Sequence, residues 1–181
     1  SIYEMFDIDY PIQVQYKYLV SDVDLDKLSL CLPVKLELEQ FFTYLNDNEN
    51  TMVRKTTKDG DSTYSSSTKR ETSKPSERIT VSRRIPDKDY EELLSQKSDK
   101  PIHKYRFCFS YNKEYYRLDI FDEPHGLMIL ETGLTNKKSK VKIPNFIKAE
   151  KDITDDMSYR NVSLYRKINK KSKSLPLVKK I

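Results

Sequence analysis

Glycine is scarce in this chain, and its scarcity argues against several common ways of binding a nucleotide. Only 3 of the 181 residues are glycine. The sequence has neither the P-loop pattern nor the glycine-rich turn of dinucleotide-binding folds. The two cysteines, Cys31 and Cys108, lie far apart and form no metal-binding or redox motif. No apolar run approaches the roughly 18 residues of a membrane span. We therefore expect a cytoplasmic, reduced protein.

The composition is polar but still that of a globular protein. Charged residues make up 34% and hydrophobic residues 36%, and 13 Tyr and 7 Phe supply bulky apolar surface. Lysine and arginine (33) outnumber the acidic residues (28), which gives a net charge of +5 and indicates an acidic ligand. The length fits one domain, which we place at residues 1–166. Residues 167–181 form a basic tail that we expect to be poorly ordered.

Alternation of polar and apolar residues dominates the chain, and helical periodicity is scarce. The pattern predicts an α+β fold that is mainly antiparallel β, with about eight strands closed into a barrel, because closure removes exposed strand edges. The predicted strands are residues 12–20, 36–45, 52–56, 63–70, 78–85, 104–111, 115–121 and 126–134. The predicted helices are residues 23–32 and 87–96, with short helical pieces at 143–147 and 153–159.

Charged residues on these strands are the candidate functional groups, because every second side chain of a closed sheet points into its interior. An inward cluster of bases needs an anion to offset its charge, and polyphosphate suits arginine and lysine. Glu131 and Asp119 stand in otherwise apolar strands. The alternative is that most of these side chains face solvent. The candidate phosphate-binding residues are Lys17, Arg54, Lys69, Arg84, Lys104 and Arg106.

Several stretches, in order, resemble the motifs of the CYTH-like, or triphosphate-tunnel, family. The strand at residues 13–20 (QVQYKYLV) stands where the family has E-x-E-x-K, and Lys69 where it has T-x-K. Lys104-Tyr105-Arg106 is similar to its K-x-R strand. The segment 126–134 (GLMILETGL) resembles G-L-x-x-x-E-x-E-L, and residues 143–161 resemble the signature that follows. The resemblance implies a β-tunnel whose bases hold a triphosphate beside Mg²⁺ or Mn²⁺.

Within that family, the likeness is greatest to eukaryotic proteins that also carry an N-terminal P-loop domain. Residues 104–109 and 115–121 carry this likeness, together with Asp59-Gly60 and Lys69-Arg70. It implies that the chain, which begins at Ser1, is the C-terminal part of a longer polypeptide. A P-loop domain would then be a partner on the same chain.

The acidic half of the family pattern is broken in this sequence. Gln13 and Gln15 replace both glutamates of the first strand, Thr80 stands at an expected acidic position, and Gly133 replaces the second glutamate of E-x-E. Hard divalent ions need anionic oxygen ligands, so a neutral amide is a weak substitute. The remaining candidate metal ligands are Glu131 and Asp119. Mg²⁺ or Mn²⁺ remains a possible cofactor, whereas the basic half of the pattern is largely kept.

Three functions follow from this pattern. The first is binding of a phosphorylated ligand, namely a nucleotide, a polyphosphate or a phosphoinositide headgroup, in a tunnel that has lost its metal. The second is weak Mg²⁺- or Mn²⁺-dependent hydrolysis of tripolyphosphate or a nucleoside triphosphate. The third is a protein-interaction scaffold whose acids simply pair with its bases. The strand-bound aromatic residues disfavour nucleic acid as a partner, while the basic tail leaves peripheral membrane contact open.

Overall fold

A computed structural model of the protein describes residues 14–72, 78–134 and 140–170. Its elements are nine strands, three α-helices and one 3₁₀-helix. In chain order they are β1 (Val14–Val23), α1 (Leu25–Leu30), β2 (Val34–Leu45), β3 (Glu49–Lys58), β4 (Asp61–Glu71), β5 (Arg78–Arg84), α2 (Asp87–Ser95), β6 (Ile102–Tyr111), β7 (Glu114–Glu123), β8 (Met128–Leu134), β9 (Ile147–Asp152), the 3₁₀-helix Met157–Tyr159 and α3 (Asn161–Ile168).

The strands form one hydrogen-bonded sheet in the order β5-β4-β3-β2-β6-β7-β8-β1-β9. The mainly antiparallel fold predicted from the sequence is therefore confirmed, but the predicted closed barrel is wrong. In the described part of the chain the sheet is open, with β5 and β9 as its edge strands. Both edges carry exposed charges, such as Arg83 and Arg84 on β5 and Lys148 and Lys151 on β9, and such charges disfavour pairing with another strand.

The described chain divides into two compact units, of which the first contains the described residues from 14 to 36 and from 104 to 157. Its hydrophobic core lies on one face of the sheet, where α1 and the segment before β9 cover it. Asp24 caps α1 by accepting hydrogen bonds from the backbone N–H groups of Asp26 and Lys27. The helix places Leu28 in the core. The core residues are Val20, Leu28, Phe109, Tyr116, Leu118, Leu130, Phe146 and Ile147.

The second unit contains the described residues from 37 to 103 and from 158 to 170. Strands β2 to β5 follow one another as antiparallel neighbours. Helix α2 packs the buried ring of Tyr90 against Phe41 and Tyr64, with ring centroids 5.4 and 5.1 Å apart. The Tyr90 hydroxyl donates a hydrogen bond to Glu39 Oε1 at 2.7 Å. This packing covers the face of β2 that carries Glu39 and Phe41.

Two hairpin turns rest on left-handed backbone conformations. Asp59 and Gly60 have φ angles of 50° and 83°, and Asn112 and Lys113 have φ angles of 49° and 66°. Positive φ at both central residues is the type I′ geometry that matches the twist of the flanking strands. Gly60 suits this geometry, whereas the Lys113 side chain makes it strained.

Three local predictions differ from the structure. Residues 143–147 are not helical: they form a turn in which Ile147 N–H donates to the Pro144 carbonyl, and β9 then begins. Of residues 153–159, only Met157–Tyr159 is helical, as one turn of 3₁₀-helix. Helix α3 and strand β9 were not predicted. None of the helices described is long and apolar enough to cross a bilayer.

Candidate functional site

Six charged side chains meet on the face of the first unit's sheet that lies opposite its hydrophobic core. Alternation along the strands sends the core residues Tyr116, Leu118 and Leu130 to one face and these charges to the other. They form what we call the charged cluster: Lys17 on β1, Lys104 and Arg106 on β6, Arg117 and Asp119 on β7, and Glu131 on β8.

Asp119 lies at the centre of the most buried part of the charged cluster. Arg106 binds it with two hydrogen bonds, Nε to Oδ1 at 2.7 Å and Nη2 to Oδ2 at 2.9 Å. The Lys104 ammonium lies 2.8 Å from Oδ2. Burial alone would raise the pKa of Asp119, but the charges and hydrogen bonds of Arg106 and Lys104 outweigh burial and hold it well below its usual value. Asp119 is therefore ionised at neutral pH.

Glu131 is the second carboxylate of the charged cluster. Arg117 lies directly across from it on β7 and donates from Nη2 to Glu131 Oε1 at 2.8 Å. Lys17 lies directly across from it on β1. Burial would raise the pKa of Glu131, but the charges of Arg117, Lys17 and Arg106 lower it overall. Glu131 is thus also an anion at neutral pH.

Positive charge exceeds negative charge in the charged cluster. It contains four cationic and two anionic side chains, a formal excess of two positive charges. Lys104, Arg106 and Arg117 are only 2%, 4% and 4% exposed. The Lys104 ammonium also lies 5.0 Å from the centroid of the Phe121 ring. Buried charge is costly unless an opposite charge lies beside it, so the buried bases of the charged cluster favour anionic neighbours.

The other predicted phosphate-binding residues lie in the second unit. The strand register places Arg54 on β3 opposite Ser65 on β4, and Ser65 opposite Arg84 on β5. Lys69 lies four residues from Ser65 on the same strand and therefore on the same face. Arg54 and Lys69 are half-buried and Arg84 is exposed. The structure thus brings three predicted bases, Lys17, Lys104 and Arg106, together with both predicted acids in the first unit. The other three predicted bases lie on one face of the sheet in the second unit.

The described residues do not fit a divalent ion held by the protein. Mg²⁺ and Mn²⁺ require several oxygen ligands. No group of three or more His, Cys, Asp or Glu side chains in the described part of the chain could hold a metal. Asp119 and Glu131 each form ion pairs with arginine or lysine. Gln13 and the Gln15 side chain lie outside the described part.

Two candidate site residues, Arg117 and Gln40, were not predicted from the sequence. Arg117 lies two residues before Asp119 in a strand, so the alternation that selected Asp119 could also have found it. Gln40 is fully buried, and its Oε1 accepts a hydrogen bond from Arg54 Nε at 2.9 Å. Its only sequence signal is an amide at an inward position of an apolar strand, between Leu38 and Phe42.

The fold is shared with solved structures of one protein. The structure of the inorganic triphosphatase NE1496 has a TM-score of 0.60 at 18% identity, and the match covers 84% of this chain and 93% of that one. A second structure, of the hypothetical protein NE1496, has a TM-score of 0.59 at 18% identity, with coverages of 84% and 96%. No family model and no curated protein matches the sequence significantly. The likeness supports the CYTH-like fold, while the relation to proteins with a P-loop domain stays a prediction.

Proposed function

We propose that this chain binds a phosphorylated polyanion, such as a nucleotide, a polyphosphate or a phosphoinositide headgroup, and that the protein supplies no metal site for it. The observation that carries the proposal is the positive excess of the charged cluster. Lys17, Lys104, Arg106 and Arg117 together outweigh Asp119 and Glu131 on a face where three of the bases are almost completely buried. An anion that shares those bases would offset the excess.

Phosphate is the anion whose chemistry fits these bases best. Arginine presents a planar fork of N–H donors that matches the spacing of phosphate oxygens, and lysine adds a point charge. Lys17 is half-buried, so of the four bases it is the most accessible to a ligand. The shared fold agrees with this choice, since a protein named an inorganic triphosphatase has it. Arg54, Lys69 and Arg84 are further candidate positions for phosphate in the second unit.

Metal-dependent hydrolysis is the second candidate, and the likeness to a protein named a triphosphatase is what favours it. It would require Glu131 and Asp119 to act as ligands of Mg²⁺ or Mn²⁺. Their ion pairs with Arg117, Arg106 and Lys104 compete with that role, because each pair would have to open before a metal could bind. We therefore place binding ahead of hydrolysis.

The test is a titration with tripolyphosphate in EDTA, followed by thermal unfolding and calorimetry. Binding to the native state raises the unfolding free energy, by about 2.7 kcal/mol at a ligand concentration of 100 times Kd. Lys17→Gln should weaken binding about tenfold, the effect of losing one charge-assisted contact of roughly 1.4 kcal/mol. Lys148→Gln is the matched control, because Lys148 is an exposed lysine on β9. Equal loss in both variants would refute the role of Lys17, and failure of the wild type to bind any phosphate compound would refute the proposal.

A phosphate-release assay on the same proteins separates the alternatives. Release that depends on Mg²⁺ or Mn²⁺ and is abolished by Glu131→Gln would show that hydrolysis is the function. Binding in EDTA without release supports the ligand-binding proposal. If tripolyphosphate, a nucleoside triphosphate and an inositol polyphosphate all fail to bind, the ion pairs of the charged cluster are structural, and the chain is better described as a scaffold.

A further inference from the structure

In the buried carboxamide of Gln40, the oxygen has a hydrogen-bond partner and the NH₂ group has none in the described part of the chain. Arg54 Nε is a donor only, so it fixes the Gln40 oxygen toward Arg54 and turns the amino group away. Gln40 is 0% exposed. Its Nε2 atom is buried and has no hydrogen-bond partner in the described part of the chain. Buried polar groups are nearly always paired, so an unpaired donor calls for an explanation.

The local structure offers no packing reason for an amide at this position. The neighbouring residues on the same face of β2, Leu38 and Phe42, are buried and apolar. A leucine or methionine at position 40 would fill similar space without burying an unpaired NH₂ group, at the cost of the single hydrogen bond that Arg54 Nε donates to Gln40. The unpaired donor therefore points to a group that the described part of the chain does not supply.

The surroundings of Gln40 identify the chemistry of that group. The register places Gln40, Arg54, Ser65 and Arg84 in one row across β2 to β5. The next rows on this face are Phe42-Met52-Ser67-Ser82 and, beyond it, Asn50-Lys69-Thr80. Besides the apolar Phe42, Met52 and Leu45, these rows contain arginine, lysine, amides and hydroxyls, and no carboxylate. A face rich in hydrogen-bond donors and positive charge suits a ligand that is rich in acceptor oxygens.

We infer that Gln40 contacts the ligand directly, donating from Nε2 to an oxygen of a phosphate group that Arg54 holds. The inference rests on the proposed function and adds to it a residue outside the basic set. Because Gln40 Nε2 is buried, a phosphate can reach it only if side chains move. The half-buried Arg54 side chain must turn toward the phosphate, and the Gln40 side chain must rotate toward the same phosphate. Binding then satisfies a donor that has no partner among residues 14–72, 78–134 and 140–170.

The test combines side-chain NMR with one substitution. The Gln40 NH₂ signals are identified by their loss in Gln40→Met, and the wild type is titrated with tripolyphosphate in EDTA. The Gln40 signals should shift in step with binding, while those of Gln96, an exposed residue after α2, should not. Gln40→Met should bind tripolyphosphate about tenfold more weakly and unfold at the same or a higher temperature without ligand. Gln96→Met is the matched control and should bind as the wild type does.

The outcomes separate this inference from the proposed function. If the wild type binds tripolyphosphate, but Gln40→Met binds it equally well and the Gln40 signals do not move, the inference is wrong and the proposed function stands. If the wild type binds no phosphate compound, the proposed function is wrong and the inference falls with it. Weaker binding by Gln40→Met, together with unchanged binding by Gln96→Met, supports both.

Discussion

Replacing Asp119 by asparagine should change stability and anion binding in opposite directions. The substitution keeps the shape of the side chain but removes the charge that Arg106 and Lys104 share. Breaking a buried ion pair by removing one partner costs about 3–5 kcal/mol, because the other charge stays buried and uncompensated. Asparagine can still accept one hydrogen bond from Arg106, so we expect a loss near the lower end, about 3 kcal/mol.

The same substitution should strengthen binding of phosphate compounds. It raises the formal excess of the charged cluster from two to three positive charges. One unit charge removed about 6 Å from a bound anion changes the interaction by roughly 1–3 kcal/mol at an effective dielectric constant of 20 or more. The tripolyphosphate Kd in EDTA should therefore fall about tenfold, and ligand should recover more stability in the variant than in the wild type.

Urea unfolding and calorimetry, each with and without tripolyphosphate, measure both effects. Asp47→Asn is the matched control, because Asp47 is exposed in the turn between β2 and β3; it should change neither quantity appreciably. Weaker ligand binding by Asp119→Asn in EDTA would refute this reasoning. A loss of stability no larger than that of Asp47→Asn would show that the buried ion pairs contribute little.

The pH dependence provides an independent check on Asp119. Its folded-state pKa is lowered, so its contribution to stability is present above the unfolded-state pKa and is lost as pH falls through the folded value. The difference in unfolding free energy between wild type and Asp119→Asn should therefore be constant from about pH 5 to 8. It should shrink only below about pH 4, where the carboxyl group of the unfolded chain takes up its proton. A difference that shrinks already between pH 5 and 7 would contradict the lowered pKa.

Three further predictions concern stability and can be checked by urea unfolding. Tyr90→Phe removes the hydrogen bond to Glu39 and should cost about 1.5–3 kcal/mol; no change would mean that packing alone holds α2. Lys113→Gly relieves the backbone strain of a non-glycine residue at φ 66° and should raise the unfolding free energy by about 1 kcal/mol. A lower unfolding free energy would contradict strain at this turn. Leu118→Ala, at a position with 0% exposure, should cost about 2–5 kcal/mol, whereas Leu30→Ala, at 80% exposure, should cost far less. Equal losses would contradict the assigned core.

Most of the sheet could be predicted because its strands have two different faces. In β7 the apolar Tyr116 and Leu118 alternate with Arg117 and Asp119, and that alternation is visible in the sequence. Strand β9 has the sequence IKAEKD, in which only the first residue is buried, so it carries no comparable signal. The buried side chains of α3, Leu164 and Tyr165, are too few to outweigh the prediction of a loop. Whether the sheet closes depends on pairing between distant strands, which alternation does not encode.

The site was predictable only in part. The residue types indicated bases and two acids, but not that Glu131 lies between Lys17 and Arg117, because this arrangement depends on which strands pair and in what register. The expectation that acids would serve a metal came from the family resemblance. The structure instead pairs each acid with bases. Gln40 could not be identified without coordinates, since only they show an unsatisfied amide donor.

The row formed by Lys17, Glu131 and Arg117 also has a consequence for how the chain folds. A slip of two residues between β7 and β8 would keep every apolar side chain on its own face, so hydrophobic burial alone does not forbid it. In one direction, that slip would bring Glu131 opposite Asp119 and set two carboxylates against each other. In the other direction, it would bring Glu131 opposite Tyr115 and leave it without its arginine. The alternating charges therefore favour the native register of β7 and β8 over registers shifted by two residues. They do so during folding, before any ligand is present.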